Sequence, residues 1–221
     1  MSPRVVCISR TSAAGGESVG RAVARRLGFR FVDDEIIAKA AQKAQVNPED
    51  IARAEQKQPL LARLLNALRA AAPVASKEAV RSEPMAADYY QQAPVEAKPQ
   101  LGTEDYRALI RDVIREVAAE GDVVIVAHAA SMALRGGAGT LRVLVTASPT
   151  TRMHRLSAAG QLLNEEAAAT AVAESDRARQ YYFATFYGVK EELPTHYDLV
   201  VNTDVLTPEQ VVSVIVHAAQ V

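Results

Sequence analysis

The chain has 221 residues, of which 49% are hydrophobic, and a formal net charge of −1. That length suits one domain with a sizeable core, and the composition excludes bulk disorder. A charge so near zero excludes an overall nucleic-acid footprint, so any anion site must be local, and no run of about 18 apolar residues is present to cross a membrane.

The first element is a strand, the apolar run Val5-Val6-Cys7-Ile8-Ser9. It follows Arg4 directly and lacks the longer apolar stretch of a signal peptide, which points to a cytoplasmic protein. The single cysteine, Cys7, has no internal disulfide partner and reads as a small buried hydrophobe in a reducing compartment. Next comes a loop from Arg10 to Gly16 and then a helical stretch. Strand, glycine-bearing loop and helix together form a phosphate cradle, because loop amides and the helix N-terminus point at one anion. Against the full pattern G-x-x-x-x-G-K-[ST], the slots fall on Arg10, Gly15, Gly16 and Glu17, leaving no lysine. A second register, from Gly15 to Gly20, Arg21 and Ala22, restores a cation but sets it about a turn into the helix; the first register is preferred.

Ser18 to Leu27 carries apolar residues at helical spacing and stops at Gly28. Phe29 to Asp33 alternates as a strand, a helix runs from near Asp34 to about Ala44, and Asn47-Pro48 starts another that continues to about Ala71. Residues 72–102 contain Pro73, Pro84, Pro94 and Pro99 and read as a mobile insertion, either a lid over a site or a segment with no role. Within it, Tyr89-Tyr90 either stacks on a base or anchors the loop. Thr103-Glu104-Asp105 opens a helix with an apolar face from Tyr106 to Val117, ended by Gly121. Strands follow at Val123 to Ala127, Leu141 to Ala147 and Tyr197 to Thr203, with helices near 149–160, 164–184 and 208–219. This alternation predicts an α/β fold, an open parallel sheet covered on both faces, with ligands outside the carboxyl ends of the strands.

Unusual polar residues gather at those ends: Arg10 and Ser12 after the first strand, Asp33 and Asp34 after the second, His128 after the third. Such convergence suits phosphoryl transfer, where catalysis is mostly positioning and charge neutralisation. Arg152 and Arg155, three apart, share a helical face and can both turn toward a polyphosphate. Arg177 and Arg179, two apart, share a direction only if their helix is interrupted, and otherwise divide between a ligand and a surface partner such as Asp176 or Glu174. Glu17 either holds magnesium or complements the positive end of the first helix. Asp33 and Asp34 either orient an acceptor hydroxyl, coordinate magnesium or cap the following helix. His128 either bonds a phosphate or base or is structural, and His154, His196 and His217 show no metal-ligand spacing.

The order Val5-Val6-Cys7-Ile8-Ser9-Arg10, Gly15-Gly16, Val19-Gly20-Arg21, then Phe31-Val32-Asp33 with Glu35-Ile36-Ile37, resembles the cytidylate kinase-like family of P-loop kinases. The strand and helix from Val143 to Arg155, Asp176-Arg177-Ala178-Arg179 with Tyr181-Tyr182, and Tyr197 to Thr203 extend the resemblance over nearly the whole chain outside the proline-rich stretch. It implies a three-layer P-loop kinase fold with a helical lid at about 157–184, acting as an ATP-dependent phosphotransferase on a nucleoside monophosphate or related small acceptor. ATP would lie on Arg10, Ser12, Ala14, Gly15, Gly16, Glu17 and Ser18, with Asn202 and Thr203 beside it. The acceptor would lie near Asp34 and His128; Arg152, Arg155, Arg177, Arg179 and Asp33 would serve catalysis, and Ser18 and Glu17 magnesium. The family's usual loop is close to S-R-E-Y-G-S-G-G-R-E-I-G; here Ala13 replaces a glycine, Glu17 an arginine and Ser18 a glutamate, and Ala127-His128 stands for the usual Gly-Arg. These changes remove cations, so a non-catalytic or weakly catalytic nucleotide-binding regulatory module is the alternative. The sequence is compatible with a homo-oligomer without specifying one.

Overall fold

The computed structural model describes residues 4–49, 103–126, 129–160 and 164–221. The proline-rich stretch, the helix expected up to Ala71, Tyr89-Tyr90 and His128 lie outside the described residues. Among those described, five parallel strands form one sheet in the order β2-β3-β1-β4-β5. They are β1 (Val5–Arg10), β2 (Arg30–Val32), β3 (Val123–Ile125), β4 (Thr140–Thr146) and β5 (Leu199–Asn202). β1 lies at the centre because Val5, Val6, Cys7 and Ile8 are apolar on both pleat faces, and each is buried. Its register pairs Val5 with Val123 on one side and with Thr140 on the other.

Helices cover both faces. Val6, Ile8, Val124, Val143 and Val145 pack against Val19 and Val23 of α1 (Gly16–Leu27) and Val211 and Ile215 of α7 (Pro208–Ala218). Opposite them, Val5, Cys7, Val123 and Ile125 meet Ile36 and Ala40 of α2 (Glu35–Ala44) and Ile110, Ile114 and Val117 of α3 (Thr103–Glu120). Each such fully buried aliphatic side chain contributes roughly 1.5–3 kcal/mol. After β3 comes a short helix, α4 (Ala130–Ala133), which no periodicity in the sequence announces. A third layer element is the pair α5 (Pro149–Ala158) and α6 (Glu165–Tyr187), joined through Leu156, Ala168, Ala171 and Val172.

Capping explains the boundaries. Ser148 and Thr207 accept from the amides of Thr151 and Gln210, each ahead of a proline at the first helical turn. Gly188 stops α6 at φ 67°, three residues beyond the expected end. β2, β3 and β5 are shorter than the runs expected for them, since pairing requires a partner and β2 matches β3 only from Arg30 to Val32. At the amino ends, Arg142 grips Asp198 with Nε and Nη2 at 3.0 and 2.7 Å, and Arg4 holds Asp122 at 2.9 and 2.5 Å.

Candidate functional site

The loop after β1 is fixed by two amide bonds, Thr11 N–H to Val145 O at 3.1 Å and Ala14 N–H to Thr11 O at 3.2 Å. Ala13 then turns at φ 60° and Gly15 at φ 80°, and α1 begins at Gly16. Left-handed backbone disfavours a side chain, so Ala13 carries a strain that a glycine there would not. The amides of Gly15, Gly16, Glu17 and Ser18 find no acceptor among the described residues, so the helix N-terminus is presented open. A Cβ on Gly16 would lie 2.5 Å from the Cβ of Arg10, so only glycine lets α1 start this close to β1. Gly20 and Arg21 lie inside α1, and a Cβ on Gly20 would sit 2.4 Å from Val126 Cγ2. Gly20 therefore serves helix packing, and the register beginning at Arg10 is the one the fold uses.

A cavity of about 370 Å³ opens over this loop, lined by Arg10, Gly15, Gly16, Glu17 and Ser18 among others. The Arg10 guanidinium makes no hydrogen bond among the described residues, and its Nε is buried without a partner. Glu17 leans along the helix to Arg21 at 3.1 Å, and Arg21 rests over the Phe31 ring at 4.2 Å. Ser18 Oγ donates to Gly15 O at 2.9 Å, and Ser12 is a half-buried residue of the same loop.

The arginines on α5 and α6 part company. Arg155 donates to Thr203 Oγ1 at 2.8 Å, Thr203 O at 2.6 Å and Ala13 O at 3.3 Å, while Thr203 Oγ1 also lies 3.2 Å from Ala14 O. This pair props the loop from behind through its carbonyls, so its contacts are with the backbone that bears the cradle. Asn202 bonds Asp204, whose carboxylate accepts the Ser148 amide at 2.8 Å and is held below its ordinary pKa chiefly by that bond. Arg152, 3% exposed, makes a bidentate pair with Asp176 at 2.7 and 2.6 Å. Asp176 thus serves Arg152, where the sequence suggested it as a partner for Arg177 or Arg179. α6 runs without interruption, so those two arginines diverge by roughly 200°. Arg177 is exposed, and Arg179 alone turns toward the loop.

Arg179 donates to Arg10 O at 2.8 Å and Ser9 Oγ at 3.3 Å, and grips Glu192 with Nε and Nη2, both at 2.6 Å. Burial alone would lower the Arg179 pKa, but the hydrogen bonds and charge of Glu192 more than offset it. Tyr197 donates its hydroxyl to Glu192, and burial, with that carboxylate beside it, pushes the phenol up to about 12. Ser9 also meets Ser131 of α4 at 3.2 Å. Glu192 and Ser131 belong to no motif in the sequence, which marks Tyr197 only as the start of a strand run, and it is the fold that brings all three to the end of β1.

On the other side of Arg10 is a second cavity of about 260 Å³, lined by Ser9, Arg10, Asp33, Asp34, Ala129 and Arg179 among others. Asp34 stands at the N-cap of α2, yet its side chain makes no cap bond; the backbone carbonyls of Asp33 and Asp34 accept from Ile36 and Ile37 instead. Asp34 thus does not cap α2 through its side chain, and both residues border a cavity.

The model of the cytidylate kinase-like family matches residues 5–205. The chain belongs to that family. No curated protein matches the sequence. Among solved structures, this cytidylate kinase-like chain is similar to an uncharacterized protein from Eubacterium ventriosum, at 13% identity with a TM-score of 0.63, covering 98% of each chain. A sugar kinase from Janibacter sp. matches with a TM-score of 0.50 at 13% identity, over 99% of this chain and 95% of that one. A gluconokinase from Sinorhizobium meliloti does so with a TM-score of 0.50 at 13% identity, over 99% and 92%. At such identities the likeness shows the fold, a P-loop kinase architecture, and nothing finer.

The cytidylate kinase-like loop can also be tested for magnesium. Among the described residues no group of three or more His, Cys, Asp or Glu side chains is placed to hold a metal. Magnesium in phosphoryl-transfer sites takes most of its oxygens from phosphates and water and needs only one or two protein groups. The Glu17 carboxylate and Ser18 hydroxyl, both hard oxygen donors lining the loop cavity, fit that need.

Proposed function

We propose that this cytidylate kinase-like chain transfers a phosphoryl group from ATP to a nucleoside monophosphate or a related small acceptor. The observation that carries this reading is that two cavities meet at Arg10, one lined by the loop and the α1 N-terminus, the other by Asp33 and Asp34. ATP phosphates would take the open amides of Gly15 to Ser18, and the acceptor would lie against Ser9, Asp33 and Asp34. Arg10 would then face the phosphoryl group passing between them, its guanidinium available because no oxygen among the described residues holds it. Each charge-assisted contact of this kind contributes on the order of 1.5–3 kcal/mol. Arg155 and Thr203 would keep the loop carbonyls turned back, Arg179 would fix the end of β1, and Asp33 would orient the attacking oxygen.

Glu17 and Ser18 would hold magnesium, which when bound neutralises phosphate charge. The α5–α6 pair, with the 157–184 region, would serve as the lid. Among the described residues no helix is long and apolar enough to cross a membrane, and the buried free Cys7 suits the cytoplasm.

A second reading, a nucleotide-binding module with little or no catalysis, is favoured by the carboxylates that already hold Arg152 and Arg179. Calorimetric titration with ATP, with and without magnesium, followed by ADP detection with CMP, dCMP, AMP and UMP, separates the two. Turnover on one acceptor establishes the kinase; ATP binding with no turnover favours the module; absence of ATP binding removes both.

A further inference from the structure

We propose that Glu192 is a resident anion of the site: its carboxylate holds the fork of Arg179 in the free protein, and a polyphosphate gains Arg179 only by displacing it. This rests on reading the loop as a polyphosphate site, but it concerns a residue that reading does not use. Arg179 borders both the cavity shared with Arg10 and Asp33 and a further cavity of about 250 Å³ shared with Thr11 and Arg152. Its Nε and Nη2 meet the two Glu192 oxygens side by side, the bidentate arrangement in which arginine also takes phosphate. The pair is only about one-fifth exposed, at 21% and 19%, so water screens it little and a second anion competes for the same donors. Glu192 is carried by the loop between Gly188 and the single 3-10 turn Pro194–His196, so it can withdraw without breaking a helix or strand. Arg179 meanwhile stays anchored by its bond to Arg10 O.

The test is calorimetric titration of inorganic tripolyphosphate into the full chain and its variants, beside the ATP turnover panel. Glu192→Gln is expected to bind tripolyphosphate at least about fivefold more tightly than the parent. Glu191→Gln removes the same charge from an exposed neighbour lining the same cavity and is expected to gain less than about twofold. A merely structural pair predicts the opposite sign, since loosening a site weakens binding. If Glu192→Gln fails to fold, Glu192→Asp decides: it keeps the charge but shortens the reach, and tighter binding upholds the proposal while unchanged or weaker binding overturns it. Unchanged or weaker binding by folded Glu192→Gln, an equal gain in Glu191→Gln, or no tripolyphosphate binding by any form also overturns it. A gain without ATP turnover sinks the kinase reading and leaves the resident anion standing; turnover by the parent without a gain does the reverse.

Discussion

On the α1 flank of the loop the amides of Gly15 to Ser18 and the guanidinium of Arg10 have no hydrogen-bond partner among the described residues, whereas on the α6 flank Arg152, Arg155 and Arg179 are each held by protein oxygens. The same residue type is used in two ways within one site. Arginine on the open flank is a group waiting for an anion; on the closed flank Arg152 and Arg155 are braces, and Arg179 is held by Glu192 until an anion displaces that carboxylate. Binding strength should therefore follow the open flank, and changes to it should cost affinity more than fold.

The sharpest way to break that contrast is Gly16→Val. Its Cβ would stand 2.5 Å from the Arg10 Cβ, which no rotamer change relieves, so α1 must move off the strand. Displacing phosphate-positioning amides by about an ångström costs on the order of 100-fold in rate, and phosphoryl transfer from ATP is expected to fall at least that far, with ATP affinity measured by calorimetry falling in the same direction. Arg10→Ala, next in size, removes the uncommitted cation and leaves the backbone alone. Affinity for ATP should drop about tenfold to 100-fold with the melting temperature within about 1 °C of the parent. An equal affinity in the mutant would take Arg10 out of the site.

Glu17→Gln sharpens the comparison by changing a carboxylate on the open flank. Without magnesium, loss of its repulsion should tighten ATP about threefold to tenfold. With magnesium the gain should vanish, because Glu17 would then hold the ion and its charge would no longer oppose the phosphates. Paired titrations read both, and a gain of equal size in each would remove Glu17 from the metal.

How much of this was legible beforehand differs between the flanks for a physical reason. The open flank is contiguous in sequence, so spacing alone placed Arg10, Gly15 and Gly16 on a strand-to-helix turn, and the buried runs around Val6 and Val124 gave the parallel sheet. What spacing missed there was the start of α1 at Gly16, pressed close on Arg10, and the left-handed turn at Ala13. The closed flank is assembled from distant segments. Arg152 and Asp176 are brought together by two packed helices, and Arg179 meets Glu192 across a glycine-capped turn, so the residue that neutralises each cation could not be read from its neighbours. Cys7 illustrates the easier case: an apolar strand predicted its burial, and that burial pushes the thiol up to about 12.

The smallest effect belongs to the far end of the sheet, where an arginine–carboxylate pair ties strands and serves no ligand. Asp198 accepts from the Arg142 side chain and from its amide at 2.8 Å, and the Arg142 hydrogen bond leads in holding its pKa below the ordinary 3.8. A carboxyl depressed in the folded state stabilises that state above its unfolded pKa and loses the contribution as pH falls through its folded value. Asp198→Asn keeps an oxygen for the Arg142 amide and removes only the charge. Because Asp198 is 38% exposed and screened, the loss at pH 7 should stay below about 1 kcal/mol. Melting curves from pH 7 to pH 2.5 should show the parent and the variant converging once the pH passes below 3.8. ATP affinity should be unchanged, since Asp198 lies at the amino end of β5, and a variant that lost affinity would mean that the two ends of the sheet are coupled through Arg142 and β4.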